Sequence, residues 1–266
     1  MSRPFDEREL MRLVQRASEI FEGEPQVLDV EGECVVVGDV HGDKESVVKA
    51  LGLLNQTKTL IFLGDYVDRG PHQLEGICAL LSAKVENPSK LILLRGNHET
   101  RSVNLYYGFY DVVLSRYSQA LYELFAQAFS NMPVCALLDG EVLCVHGGIA
   151  EGLESLDQLR ALPKGDDDPM DPIYVQVLWN DPDEGVETFA QSYRGPGIKL
   201  FGTSVLEGFL RKNGLRMLIR AHEPQPDGFR FMFGKRLLSL FSCRHYGIRP
   251  AAALLRGGEV KILSLE

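Results

Sequence analysis

The sequence predicts a mixed α/β (α+β) fold, and three observations support this prediction. The composition is that of a globular protein, with 45% hydrophobic and 24% charged residues among 266. Short apolar runs alternate with helical patterns in the N-terminal part of the chain, as in the parallel core of α/β proteins. Further short apolar runs follow in the last third, so the strands fall into two groups, one in each half.

The elements of the first half alternate in type. Apolar residues at helical spacing from Leu10 to Phe21 predict a helix over residues 6–21. The elements that follow are strands at 34–38, 59–63 and 90–94, separated by helices at 43–54 and 72–84. Because a helix connects each strand to the next, we expect these three strands to be parallel.

The second half begins with a helix over residues 118–132 and a β-hairpin around Asp139-Gly140, a dipeptide typical of tight turns. A proline-rich acidic stretch, residues 163–172, predicts a loop whose aspartates Asp166, Asp167 and Asp168 are solvated. The remaining elements are a helix at 203–213 and strands at 216–220, 229–233, 236–242, 251–255 and 259–264. We find no repeat and no linker, and so expect a single domain over residues 1–266 with an N-terminal helix within 1–24.

Charge and composition argue against several classes of partner. Lys and Arg number 28 and Asp and Glu 37, so the net charge is −9, which disfavours nucleic acids and acidic membranes. No apolar stretch approaches the ~18 residues of a membrane span, and the N-terminus lacks the apolar core of a secretory signal. The five cysteines are odd in number and form no C-x-x-C motif. We therefore expect a cytoplasmic protein with reduced, buried thiols.

Clusters of potential metal ligands follow five of the predicted strands. The clusters are 38–43 (GDVHGD), 64–70 (GDYVDRG), 95–99 (RGNHE), 145–148 (VHGG) and 220–223 (RAHE). Ligands of α/β sheets bind beyond the carboxyl ends of the strands, so we expect the clusters to converge on one edge. A single buried Asp or His is usually structural, but chance does not easily end five strands in this way.

The side chains of these clusters predict a site for two metal ions. Asp39 and His41 are two residues apart, a spacing that places both side chains on the same side of an extended segment. Asp65 can bridge two ions because a carboxylate has two oxygens. The remaining candidates, which could complete the second ion, are Asn97, His146 and His222. Mixed oxygen and imidazole ligands suit Mn, Fe or Zn better than Ca or Mg.

Two adjacent metal ions activate water and hold the oxygens of an in-line displacement, which is the chemistry of phosphoester hydrolysis. His98, next to Asn97, is placed to protonate the leaving alkoxide, and Asp68 can orient His98 and favour its imidazolium form. Arg69 can bind phosphate oxygens with its guanidinium group, and Arg194 is a second candidate for the same role.

Other polar residues near the clusters are expected to be structural. Arg95 begins the third cluster and Arg101 lies two residues after it. An ion pair is the expected role of each, and the role of Glu99 is left open. Neither a G-x-G-x-x-G nor a G-x-x-x-x-G-K-[ST] motif is present, so a Rossmann or P-loop nucleotide site has no support.

The motifs GDVHGD, GDYVDRG and RGNHE together resemble the signature of the phosphoprotein phosphatase family, within the calcineurin-like metallophosphoesterases. The likeness extends over residues 34–256 and includes segments typical of the serine/threonine branch, exemplified by protein phosphatases 1 and 2A and calcineurin. Those segments are 107–111 (YGFYD), 178–182 (LWNDP), 194–195, 220–223 and 240–242. The fold of the family is a β-sandwich flanked by helices, which we therefore expect here.

The resemblance implies a role for each candidate residue. It assigns the first metal to Asp39, His41 and Asp65, and the second to Asp65, Asn97, His146 and His222. It makes His98 and Asp68 the general-acid pair. It places Arg69, Asn97, Arg194 and Tyr246 around the phosphate, with Tyr246 over the site. A hydroxide bridging the two metals would attack phosphorus directly, without a phosphoenzyme.

One loop departs from the family pattern. Eukaryotic enzymes have Ser-Ala-Pro-Asn-Tyr-Cys where residues 242–247 of this chain are Ser-Cys-Arg-His-Tyr-Gly, and the loop that follows is shorter here. This loop helps to shape substrate and inhibitor binding in the family, so we expect altered peptide preference and inhibitor sensitivity. Gly247 occupies the position at which microcystin-type toxins attach, so that covalent bond should not form.

The expected function is that of a metal-dependent serine/threonine protein phosphatase. Its expected cofactors are two divalent ions, with Mn²⁺ preferred in vitro and Fe or Zn as alternatives, and its substrates would be phosphorylated proteins. The sequence names no regulatory subunit, and we expect no nucleic-acid or membrane partner. The alternatives are a dinucleoside polyphosphate hydrolase or a broad-specificity phosphoesterase that also accepts phosphotyrosine. A non-catalytic phosphate-binding protein is disfavoured, because neither a ligand nor His98 is missing.

Overall fold

Two β-sheets packed face to face form the centre of the fold in the computed structural model, which describes residues 5–266. The strands are β1 (Val27–Val30), β2 (Cys34–Val37), β3 (Thr59–Phe62), β4 (Leu91–Leu93), β5 (Cys135–Leu138), β6 (Val142–Val145), β7 (Asp181–Pro182), β8 (Phe189–Gln191), β9 (Lys199–Phe201), β10 (Met217–Arg220), β11 (Phe229–Met232), β12 (Leu237–Leu240), β13 (Ala251–Arg256) and β14 (Glu259–Ser264). The expected mixed α/β sandwich is confirmed.

Helices cover the outer faces of the sandwich. They are α1 (Glu7–Gly23), α2 (Lys44–Leu51), α3 (Gln73–Glu86), α4 (Arg101–Tyr107), α5 (Phe109–Leu114), α6 (Gln119–Ser130), α7 (Leu156–Arg160), α8 (Pro172–Trp179) and α9 (Thr203–Lys212). Helix α1 begins where the Asp6 carboxylate accepts hydrogen bonds from the backbone N–H groups of Arg8 and Glu9. The expected domain and N-terminal helix also include residues 1–4, which lie outside the described residues.

The first sheet has the strand order β14-β13-β2-β3-β4, and the second has the order β1-β5-β6-β10-β12-β11. As expected from the connecting helices, β2, β3 and β4 are parallel. In the second sheet β6, β10 and β12 are also parallel. The short strands β7, β9 and β8 form a third sheet beside the sandwich.

The side chains of β2 show why the strand is apolar throughout. Val35 and Val37 pack against the helices on the outer face, and Cys34 and Val36 pack between the two sheets. Successive side chains of a strand point to opposite faces, and here both faces are buried. A strand of this kind therefore has no polar residue until the chain leaves the sheet at the carboxyl end of the strand.

Several elements were not predicted from the sequence. These are β1, the three strands β7 to β9, and the helices α4, α5, α7 and α8. Strand β1 has only four residues and includes the polar Asp29, and Gly108 (φ 109°) separates α4 from α5. Helix α8 starts inside the expected acidic loop, because Pro172 occupies its first turn and Asp171 caps it.

A helix that crosses a membrane needs about 20 consecutive, mainly apolar residues. In residues 5–266, every helix is too short or too polar to cross a membrane.

Candidate metal centre and active site

The polar clusters that follow the strands meet at one edge of the sandwich, as expected from their positions at the carboxyl ends of the strands. The six expected ligands are Asp39 and His41 after β2, Asp65 after β3, Asn97 after β4, His146 after β6 and His222 after β10. All six side chains are buried, and none is more than 6% exposed. The backbone N–H of His222 donates to Oδ1 of Asp39 at 2.9 Å, which joins the loops of the two sheets.

Asp65 lies between two groups of ligand atoms. His41 and His98 approach it in one group, and His146 and His222 approach it in the other. Its Oδ2 atom lies 3.5 Å from Nε2 of His41, and its Oδ1 atom lies 3.3 Å from Nε2 of His146. One carboxylate oxygen therefore faces each group, which is the arrangement that a bridging ligand requires.

Hydrogen bonds to carbonyl groups set the tautomers of two histidines. Nδ1 of His41 lies 2.9 Å from the carbonyl oxygen of Val67, and Nδ1 of His146 lies 3.0 Å from that of Leu63. A carbonyl only accepts, so in both rings Nδ1 carries the proton and Nε2 points its lone pair into the site. Metal-binding histidines are oriented in this way by their outer nitrogen.

Atoms that can bind a cation lie close together between the loops of the two sheets. The unprotonated Nε2 of His146 lies 2.9 Å from Oδ1 of Asn97 and 3.1 Å from Nδ1 of His222. Oδ2 of Asp39 is buried and has no hydrogen-bond partner among the described residues. Buried polar atoms are rarely left unsatisfied, and this donor set fits divalent cations.

The backbone turns sharply around these ligands. Five of the eight non-glycine residues with positive φ in the described range belong to the site, namely His41, Asp65, Asp68, Arg69 and His222. Such conformations cost energy and concentrate at functional sites. The expectation of an extended segment from Asp39 to His41 is wrong, because His41 has a φ angle of 38°, which is not an extended conformation. The turn still brings Nε2 of His41 within 3.7 Å of Oδ2 of Asp39.

Burial shifts the pKa values of the carboxyl and imidazole groups in opposite directions. It raises the pKa of Asp39 to about 7, and burial together with the charges of Asp39 and Glu99 raises the pKa of Asp65. The same desolvation lowers the pKa values of His41 and His146, so both rings are neutral at pH 7. A divalent cation would reverse the effect on the carboxyl groups, because it stabilises their ionised form.

His98 and Asp68 form the pair that the sequence predicted. Nδ1 of His98 lies 2.8 Å from Oδ2 of Asp68, whose other oxygen accepts from the backbone N–H of Phe109 at 2.8 Å. The amide of Asn104 donates to Asp68 at 3.2 Å. These contacts fix the imidazole and direct its Nε2 atom towards the ligand cluster, 4.0 Å from Oδ2 of Asp65.

The expected imidazolium form of His98 is not the resting form. Burial lowers the pKa of His98, and the positive charges of Arg69 and Arg194 lower it further. Burial also raises the pKa of Asp68 to about 6, so the carboxyl group is still ionised at pH 7. The free site therefore contains a neutral imidazole held by a carboxylate, and a bound anion would be needed to favour protonation.

Two arginines face the cleft. The guanidinium carbon of Arg69 lies 4.2 Å from the ring centroid of Tyr107. Nε of Arg194 lies 2.5 Å from Oδ2 of Asp181, and Oδ1 of Asp181 accepts a hydrogen bond from the buried Arg220 at 2.7 Å. Asp181, in the LWNDP segment, holds Arg194 in place, a role that the sequence alone did not predict.

The ligand atoms and the arginines open into a cleft of about 230 Å³. The Tyr246 ring stacks on His41 with centroids 5.8 Å apart, as expected for a residue lying over the site. Tyr107, Trp179 and Tyr193 also line the cleft but were not proposed as site residues. Tyr107 and Trp179 lie in the YGFYD and LWNDP segments, which could have indicated them, whereas only its position next to Arg194 points to Tyr193.

Glu99 supports the backbone beneath the ligands. Its carboxylate accepts hydrogen bonds from the N–H groups of Asp65 at 2.7 Å, Tyr66 at 2.9 Å and Gly96 at 3.0 Å. It therefore joins the ends of β3 and β4. This answers the role left open for Glu99, since its contacts are with backbone groups.

Two of the structural expectations need correction. Arg95 was expected to form an ion pair, but its guanidinium donates to the carbonyl oxygen of Glu99 and the hydroxyl group of Tyr174. Asp167 was expected to be solvated, but it pairs with Nε of Arg101 at 2.6 Å. The expected ion pair of Arg101 is confirmed by this contact, which also fixes the acidic loop to the start of α4.

Several solved structures share the fold of this chain. A protein serine/threonine phosphatase from Saccharomyces cerevisiae with similarity to human phosphatase PP5 superposes with a TM-score of 0.89 and 27% identity, covering 98% of this chain and 90% of that one. A cold-active protein-tyrosine phosphatase of a psychrophilic Shewanella species gives a TM-score of 0.67 at 18% identity, covering 93% and 84%. A protein assigned as a diadenosine tetraphosphatase gives 0.54 at 17% identity, covering 91% and 98%. The last two support the fold alone.

The family is established by the sequence match. A profile of the calcineurin-like phosphoesterases matches residues 34–226, which is more than half of the chain. Together with the superposition on the yeast phosphatase, it confirms the resemblance to the phosphoprotein phosphatases. The chain belongs to the calcineurin-like phosphoesterases, hydrolases that work with divalent metal ions.

Proposed function

We propose that this phosphoesterase is a serine/threonine protein phosphatase that hydrolyses phosphomonoesters of protein side chains. One observation carries the proposal. His98, held by Asp68, points Nε2 at the same cleft that Arg69 and Arg194 face. A proton donor and two phosphate-binding groups therefore surround a cluster of metal ligands, as phosphoryl transfer to water requires.

The metal ligands would divide into two sets that share Asp65. The proposed first set is Asp39, His41 and Asp65, and the second is Asp65, Asn97, His146 and His222. When bound, the two ions would polarise the phosphoryl group and lower the pKa of a water molecule. Carboxylate, amide and imidazole donors favour Mn²⁺, with Fe or Zn as alternatives.

Arg69 and Arg194 would bind the phosphate oxygens. The Arg194 guanidinium is held by Asp181 and lies 3.4 Å from the carbonyl oxygen of His222, so it is already directed at the site before substrate arrives. A group fixed in advance loses little side-chain entropy when the substrate binds. Arg69 rests against the Tyr107 ring, which limits its movement in the same way.

His98 would donate a proton from Nε2 to the leaving oxygen of the substrate. In the free site its pKa is lowered by burial and by the two arginines. A bound phosphate group is dianionic near pH 7 and would neutralise those arginines, which favours the imidazolium form. Asp68 would accept the Nδ1–H throughout, keeping the ring in the orientation that serves proton transfer.

The charge of the cleft supports a phosphorylated side chain over a polyphosphate. Arg69 and Arg194 are the two cationic side chains among the described residues that line it. A single phosphate carries about two negative charges near pH 7, which two arginines can match. A dinucleoside polyphosphate carries more charge along its length. The likeness to the yeast serine/threonine phosphatase also supports a protein substrate.

The experiment compares substrates under one condition. The Mn²⁺-loaded protein would be assayed with a phosphothreonine peptide, the matching phosphotyrosine peptide and diadenosine tetraphosphate. We expect the highest kcat/KM for the phosphothreonine peptide. A preference for diadenosine tetraphosphate would replace this proposal with the polyphosphate hydrolase. Equal rates for both peptides would indicate a broad-specificity phosphoesterase.

The five buried thiols support a cytoplasmic location, which we also propose.

A further inference from the structure

Arg244 fastens the turn after β12 to the start of α2. The turn, Arg244–Tyr246, is one short 3₁₀ segment with no buried residue. The backbone N–H and Nε of Arg244 both donate to Oδ2 of Asp43, at 2.9 and 3.0 Å. Its Nη1 atom lies 2.6 Å from Oε2 of Glu45, and its Nη2 atom lies 3.2 Å from the carbonyl oxygen of Leu265. One side chain thus connects the turn to two other segments.

Asp43 connects this contact to the metal centre. It lies two residues after His41, and its carboxyl group is buried. It also caps α2, because Oδ1 accepts a hydrogen bond from the N–H of Ser46 at 3.1 Å. The Arg244 side chain is 24% exposed, so its pairing with Asp43 is partly shielded from water. Ion pairs that are partly shielded from water are stronger than the usual surface pairs.

Tyr246 is the residue that this fastening would hold. It is two residues from Arg244, and its ring stacks on His41 with centroids 5.8 Å apart and an interplanar angle of 30°. Its edge also contacts Phe241, with centroids 4.9 Å apart. The Tyr246 ring forms one wall of the cleft. Because the turn buries none of its own residues, this wall depends on contacts made from outside the turn.

We propose that Arg244 is a positioning residue: its pairing with Asp43 holds the Tyr246 ring against His41 and so fixes that wall of the cleft. The inference rests on the proposed function, since it concerns phosphate recognition in the same cleft. The eukaryotic pattern has proline at the position of Arg244, and proline has no side-chain donor. A residue of that pattern could therefore not make the side-chain contacts that Arg244 makes here.

The first test is Arg244→Gln, which removes the charged fork but keeps a polar side chain. We expect KM for a phosphothreonine peptide to rise by about 5- to 10-fold with kcat within about twofold, because a wall that binds substrate and transition state alike affects binding alone. Arg249→Gln is the matched control, since Arg249 lies in the same loop, is 74% exposed and has one contact at 3.6 Å, to Asp227. Its kinetics should match the unmodified protein.

A double-mutant cycle asks whether Arg244 acts through Tyr246. If it does, Arg244→Gln should add little to the effect of Tyr246→Ala, because the residue it positions is already gone. Arg244→Lys, which keeps the charge, should recover part of the lost affinity. Additive effects of Arg244→Gln and Tyr246→Ala would overturn the proposal. So would loss of Mn²⁺ from Arg244→Gln, which would show that Arg244 supports the metal ligands instead.

A binding measurement separates this inference from the proposed function. Calorimetric titration of the Mn²⁺-loaded protein with inorganic phosphate requires no turnover, and Arg244→Gln should weaken that binding by the same factor as KM. If no phosphopeptide is hydrolysed but Arg244→Gln still weakens phosphate binding, the proposed function fails and the inference stands. If phosphate affinity and KM are both unchanged in Arg244→Gln, the inference fails whatever the substrate.

Discussion

Nδ1 of His98 lies 2.8 Å from Oδ2 of Asp68, and both side chains are buried. This contact sets the direction of the imidazole, whose Nε2 atom lies 4.0 Å from Oδ2 of Asp65. At that distance His98 could give a proton to a leaving group or bind a metal ion. Because His98 also lies in one group with His41 and Asp65, an experiment must distinguish the role of proton donor from that of metal ligand.

The first prediction concerns His98→Asn. Loss of a general acid typically lowers the rate by a factor of about 100 to 10,000, and we expect kcat to fall within that range. Metal content, measured by elemental analysis, should stay near two ions per chain, because the proposed ligands are other residues. Loss of one or both ions from His98→Asn would instead make His98 a metal ligand.

Arg194→Ala should weaken phosphate recognition. A hydrogen bond between charged groups contributes about 1.5–3 kcal/mol, so we expect kcat/KM to fall by roughly 10- to 100-fold. Steady-state kinetics with a phosphothreonine peptide provides the measurement. Arg211→Ala is a suitable control, because Arg211 lies in the last turn of α9 and is absent from the described lining of the cleft. Unchanged kinetics in Arg194→Ala would remove this residue from the site.

Metal affinity should rise with pH across neutrality. Burial raises the pKa of Asp39 to about 7, so below that pH the metal-free site holds a proton that a metal ion must displace. The pKa of His41 is lowered by burial, so that ring does not compete for protons near pH 7. Burial and neighbouring charges also raise the pKa of Asp65, so that carboxyl group must lose its proton as well. We expect the apparent Mn²⁺ affinity to increase by about tenfold or more per pH unit through pH 7.

Equilibrium dialysis against buffered Mn²⁺ from about pH 5.5 to about pH 8.5 would measure this dependence. The sign follows from the direction of the shift, because the metal-bound state holds fewer protons than the free site, and higher pH therefore favours it. An affinity that does not change between pH 6 and pH 8 would mean that no carboxyl group of the site takes up a proton there.

A pair of glycine substitutions tests how closely the motifs pack. A Cβ atom added at Gly70 would lie 1.8 Å from the carbonyl oxygen of His41, so Gly70→Ala must displace the backbone of this proposed ligand. Disturbing the support of a ligand typically lowers metal affinity by about 10- to 100-fold. Gly208, inside α9, has nothing within 4 Å of an added Cβ, so Gly208→Ala should leave metal affinity intact and stabilise the helix by about 1 kcal/mol. Equal Mn²⁺ affinities in the two variants would contradict this account.

The sequence predicted the elements whose signal is local. Strand β2 is a run of buried apolar residues ended by glycine, and α1 has an N-cap at Asp6 and one apolar face, so both could be identified without tertiary contacts. Strand β8, of three residues, depends on pairing with β9, which no local pattern reveals. The break between α4 and α5 depends on the left-handed conformation of Gly108.

The site was predictable as far as residue types and strand ends could define it. The gathering of Asp65, His146 and His222 followed from the topology, since each comes directly after a strand that leads to the same edge. The neutral state of His98 could not be predicted, because it depends on burial and on two arginines from distant segments. The contact between Arg244 and Asp43, which we propose fixes Tyr246, likewise could not be predicted. It joins residues about 200 positions apart along the chain.

The central claim is that metal ions held by these buried residues let the cleft hydrolyse a phosphomonoester. The most direct measurement is phosphate release from a phosphothreonine peptide by protein stripped with a chelator and then supplied with Mn²⁺. We expect no release from the stripped protein, a return of release as two ions bind, and a large loss of release in His98→Asn. Absence of release with Mn, Fe, Co and Zn in turn, or equal release with and without metal, would contradict it.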